Sequence, residues 1–110
     1  MAKLSDAFVK RVGEQIQDVS ISIFLRDVLN NNHYAVIAVD SKGNFRERNV
    51  FVFDQWDAVR YHLDHNNGGF IVFHNEYLDK EGPGFLAIHS SSPFKVETTM
   101  TIGLFVKSLN

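Results

Sequence analysis

His74, Glu76 and His89 are the residues of this chain whose types and spacing come nearest to chemistry. Two imidazoles and a carboxylate fixed on a sheet can act as general base and general acid, as metal-independent RNA cleavage requires. A guanidinium from Arg46 or Arg48 would then steady the phosphate charge. Whether the three share a face depends on a turn. His74 and Glu76 alternate onto one face of a strand over 70–78, and an even-numbered turn, 79–84 or 81–84, sets His89 opposite one of them. An odd-numbered turn sets His89 on the other face. The competing reading is structural: both histidines end core strands and bond to neighbouring polar groups, a common place for a residue of intermediate burial.

Other constellations reduce to local structure. His62, Asp64 and His65 cluster at a helix end, where only two of them face the same way, so a metal would need a ligand from elsewhere; a solvated helix terminus accounts for them. Ser90, Ser91 and Ser92 lack the strained elbow of a nucleophilic serine. Gly68-Gly69 and Gly82-Pro83-Gly84 do not sit between a strand and a helix with phosphate-loop spacing. With no cysteine in the chain, disulfides, thiolate catalysis and Cys-type metal centres are excluded, and a reducing, cytoplasmic setting fits. No cofactor or metal is expected.

Tyr34 and Tyr77, with Tyr61 and Trp56, suit a recognition surface where they are exposed, and Arg46 and Arg48 beside Phe45 hint at a polymer-binding strip. The formal charge of −2, with acids and bases interleaved, disfavours a nucleic-acid partner. No apolar run approaches the roughly 18 residues a membrane span requires.

The elements that must hold these residues follow from periodicity. The length, 110 residues with 45% hydrophobic and 22% charged, suits one domain over 1–110 with its own core, and ten phenylalanines make that core aromatic. Phe8, Val12, Ile16 and Val19 recur at helical spacing and predict a helix over 5–18. Over 19–29 two periods compete. Ile21, Phe24, Leu25, Val28 and Leu29 form a helical stripe, while Val19, Ile21 and Ile23 alternate with serines; a helix capped by Ser20 is the preferred reading, ended by Asn30-Asn31-Asn32.

An inner strand, apolar on both faces, follows over 33–40, then a turn at 41–44 and a return strand over 45–53 with a bulge near Asn49. A helix capped by Asp54 stops at 66–69, and strands over 70–78, 85–89 and 95–108 complete the chain. The expected fold is α+β: about five mainly antiparallel strands with two or three helices packed on one face. The expected function is a non-enzymatic interaction module that binds and regulates or inhibits another macromolecule, a protein before a nucleic acid. A homodimer through the long last strand, if that strand is a sheet edge, is a further expectation.

Overall fold

The structure of the protein, a computed structural model, describes residues 5–47, 49–77, 85–91 and 95–102. Helix α1 spans Asp6–Ile16, and Ser5 caps it by accepting from the Phe8 amide at 3.1 Å. Helix α2 spans Val19–Asn30, so the helical period wins over the alternating one. Its cap is Asp18, not Ser20: the carboxylate accepts from the Ser20 amide and hydroxyl, as an anion at a helix N-terminus should. The asparagine run ends it as expected. Asn32 takes a φ of +59°, and the His33 amide reaches back to the Val28 carbonyl at 2.9 Å.

Strand β1 (Tyr34–Val39) pairs with β2 (Phe51–Phe53) on one side and β3 (Gly68–Phe73) on the other; β4 (Phe85–Ser91) and β5 (Lys95–Ile102) follow β3. All neighbours are antiparallel, in the order β2-β1-β3-β4-β5, and the fold is α+β. The return strand is shorter than its sequence suggests. After a lone bridge from Phe45 to Val39, pairing resumes only at Phe51 with Val36, so two residues of β1 face five of the returning chain. Just past the lone bridge the Arg46 amide still donates to the Ala38 carbonyl at 2.9 Å.

Helix α3 (Trp56–Asp64) starts after Gln55 with no side-chain cap, and Asp54 does not serve as one. It also corrects the one-sided packing expected above. Phe8, Val12, Ile16, Leu25, Val28 and Leu29 of α1 and α2 pack with Ala35, Ile37, Val39, Ile71, Phe73, Phe85 and Ala87 on one sheet face. Val59 and Leu63 of α3 pack with Val36, Ala38, Phe70, Val72, Leu86 and Ile88 on the other. Helices therefore cover both faces, because β1 and β3 are apolar on both and each face must be buried. Ser90, also buried, ties α3 down by donating to the Leu63 carbonyl at 2.6 Å.

Among the described residues no helix is long and apolar enough to cross a membrane.

Candidate functional site

His74 and His89 do not meet. Strand β3 ends at Phe73, which pairs with Phe85, whereas His89 pairs with Gly69 at the other end of the same strand. Five strand steps of about 3.3 Å separate them by roughly 16 Å along the sheet. They also lie on opposite faces. His74 follows Phe73 onto the α3 side and stacks on Tyr34 with ring centroids 3.9 Å apart, while His89 alternates with Ile88 onto the α1 side. Glu76 is on a single 3-10 turn, Asn75–Tyr77, and not on a strand.

What forms around His74 is a structural knot. Its Nδ1 accepts from the Glu76 amide at 3.1 Å, which places the proton of the neutral ring on Nε2, and the Glu76 carboxylate sits 3.7 Å from Nδ1. Burial first, then the adjacent Glu76 carboxylate, hold the Tyr34 phenol above its ordinary pKa of 10.0. Tyr34 also leans on Trp56 at 6.0 Å, so both are half-buried and spent on packing. Asn75 donates to the Leu29 carbonyl at the end of α2, anchoring the strand exit.

Arg46 is an anchor as well. Its Nε donates to the Val39 carbonyl at 3.2 Å and its Nη2 to the Asn67 and Gly69 carbonyls at 3.4 Å, with the guanidinium 5.5 Å from the Phe70 ring centre. Arg46 and His89 line one cavity, so of the residues singled out for catalysis and phosphate the structure brings together His74 with Glu76 and, apart from them, Arg46 with His89. Arg48 and the 79–84 turn lie outside the described residues, as does the side chain of Tyr77. His62 packs between Phe51 and Phe53, at 4.6 and 5.3 Å, and His65 closes α3 with its Nδ1 2.8 Å from the Tyr61 carbonyl. Burial holds His62 below its usual 6.5, against a smaller opposite pull from Glu47. Among the described residues no group of three or more side chains could hold a metal ion.

The surface that stands out is apolar. Among the described residues strand β2 has one strand neighbour, β1; Val52 is exposed on the side of α2, and Phe51, exposed in part, turns its ring to His62 on the other side. Beside it α2 buries Leu25, Val28 and Leu29 but leaves Val19 and Ile23 69% and 58% exposed, with Phe24 exposed as well. Isolated surface apolar residues are ordinary; four together, Val19, Ile23, Phe24 and Val52, on one helix and the adjoining sheet edge are not. Ile21, Phe24, Val50 and Phe51 line a cleft of about 440 Å³ between the two elements. It adjoins a larger cleft of about 870 Å³, with which it shares Ser20, Ile21 and Val50, and whose charged walls are Glu14, Asp18 and Glu47 against Arg46.

The signal for this surface was present in the sequence as the competing alternation of Val19, Ile21 and Ile23. Once the segment is a helix, positions 19 and 23 form a second apolar row that the core does not use. Compared with family models, curated proteins and solved structures, the chain matches none of them.

Proposed function

We propose that the chain is a non-enzymatic interaction module of the inhibitory or regulatory type, which docks an extended apolar segment of a partner protein between α2 and β2. The observation that carries this reading is the second apolar row of α2, exposed beside an edge strand whose own side chains are apolar. An extended segment added to β2 gains backbone hydrogen bonds from the free edge, while its alternate side chains fill the cleft over Ile21 and Phe24. Burying a large apolar side chain there contributes about 1.5–3 kcal/mol, so two or three anchors suffice for a specific complex. The carboxylates of Glu14, Asp18 and Glu47 in the adjoining cleft favour Lys or Arg flanking the apolar residues, and would steer the encounter. A cytoplasmic setting goes with the lack of cysteine.

The test is a selection of randomised displayed peptides against the immobilised protein, repeated with Ile23→Ser/Phe24→Ser. Enrichment of apolar, strand-forming sequences with basic flanks, lost on the double variant, supports the docking site. Enrichment that survives the double variant, or peptides without that pattern, would refute it. Light scattering of the protein alone tests the competing occupant: a stable dimer abolished by Val52→Lys would assign the edge to a second copy of this chain.

A further inference from the structure

A second cavity lies at the start of β3 beside Arg46, lined by Phe8, Val39 and Ala87 of the α1–α2 side of the sheet and by Phe70 and Ile88 of the α3 side. On the α1–α2 face β3 presents the row Gly69, Ile71, Phe73, and the first position has no side chain. Val39 of β1 and His89 of β4 flank Gly69 in register, Phe8 of α1 contributes a wall, and the resulting open cavity measures about 330 Å³. The vacancy is not refilled by a neighbour because Gly69 already meets Val39 closely: a Cβ there would come within 3.1 Å of the Val39 carbonyl oxygen.

The polar groups around this cavity are unequal. Asp40 lines it, but its carboxylate is engaged by the Lys42 amide at 2.8 Å, the Asn44 amide at 3.0 Å and the Asn44 side chain at 3.1 Å. Those donors hold its pKa below the usual carboxylate range, so it stays charged and committed to the turn. The remaining polar side chains are Arg46, His89 and Ser41, each able to donate. Arg46 is fixed in place by its bonds to three backbone carbonyls and lies flat against Gly68, where a Cβ would strike Nη2 at 2.6 Å. Nε and Nη2 are used in those bonds, and among the described residues the Nη1 donors of this immobilised guanidinium have no hydrogen-bond partner, so they can serve a ligand.

We propose that this cavity binds a small organic carboxylate, its apolar body against Phe8, Val39 and Ala87 and its carboxyl group on Arg46 with His89 or Ser41. The volume is at the low end for ligand sites, which limits the body to about the size of one aromatic ring or a branched aliphatic chain. The predominantly apolar wall disfavours a bare inorganic anion as the best occupant, and the Arg46 guanidinium, with the Asp40 carboxylate already engaged by the turn, favours an anionic head group over a cationic one.

The test is an NMR titration of the full chain, ¹⁵N-labelled, with benzoate, with its neutral isostere benzamide, and with inorganic phosphate. Benzoate should shift the amides of Gly68, Gly69 and His89 and the Arg46 Nε–H, saturating in the millimolar range expected for a ligand of so few atoms. Benzamide and phosphate should bind at least about tenfold more weakly, since each lacks one half of the recognition. Gly69→Ala puts a methyl group into the cavity and should abolish the benzoate shifts. Should that variant fail to fold, Arg46→Gln, judged by its own spectrum to be folded, should weaken benzoate about tenfold and leave benzamide unchanged. Equal binding of benzoate and benzamide, shifts located elsewhere, or no saturable shift at these residues would overturn the proposal.

Discussion

The two faces of the sheet are covered differently. Two helices, α1 and α2, lie on one face, and a single helix, α3, on the other. Yet residues of the better-covered face take part in all three clefts described above: Phe8, Val39 and Ala87 at Gly69, Ile21 and Phe24 beside β2, and Gln15, Ile21 and Ile37 between them. The α3 face is sealed by rings. Tyr34 stacks on His74 and leans on Trp56, and His62 fills the space between Phe51, Phe53 and Phe70. A pair of helices covers a twisted sheet with its side-chain rows and leaves gaps at its margins, whereas one short helix must be supplemented by flat aromatic groups. His74, which looks catalytic in the sequence, is one of those supplements.

The comparison can be broken in the core. Phe73 is fully buried on the α1–α2 face, its ring centre 5.6 Å from that of Phe85. Phe73→Ala should cost about 3–5 kcal/mol in urea unfolding, the largest effect expected here. Ser90→Ala tests the seal on the other face. It removes the hydroxyl that donates to the Leu63 carbonyl, which keeps the Asn66 amide as a partner, so the loss should be about 0.5–1.5 kcal/mol.

The rings themselves make the α3 face sensitive to pH. His62 has a folded pKa below 6.5, so between that value and 6.5 the unfolded chain binds the proton more readily than the folded one. Stability is therefore greatest above pH 6.5 and falls as the pH drops through that window. The urea midpoint of His62→Gln should fall less than that of the wild type between neutral and mildly acid pH; an equal fall would place the acid sensitivity elsewhere. The smallest effect belongs to the groove. Val19→Ser or Ile23→Ser should change stability by no more than about 0.5 kcal/mol, since both side chains are exposed. A loss comparable to Phe73→Ala would mean that the outer row of α2 belongs to the core, and would remove the argument for docking.

The order of elements was legible in the sequence because each carries its own period and punctuation: Ser5 before α1, the asparagines after α2, glycines at the start of β3. The second helical layer was legible too, and was missed. A strand reading Tyr-Ala-Val-Ile-Ala-Val is apolar on both faces, and such a strand demands cover on both. The candidate catalytic cluster failed for a different reason. It depended on the register of β3 against β4, which sets His89 opposite Gly69, and on β3 running on to Glu76, whereas β3 ends at Phe73 and Asn75 donates to the end of α2. That contact spans 46 residues, and local pattern carries no trace of it.

A similar long reach shapes the turn after β1. Gln15, on α1, donates from Nε2 to the Gly43 carbonyl at 2.8 Å and accepts through Oε1 from the Phe45 amide at 2.8 Å. One amide side chain thus supplies both partners that an adjacent strand would supply. The instructions for this turn are consequently written in two places, and the distant copy looks like an ordinary helix-surface residue. A change as mild as Gln15→Glu keeps the acceptor for Phe45 but sets a carboxylate against the Gly43 carbonyl, so a mutational survey would register a turn defect at a position inside a helix.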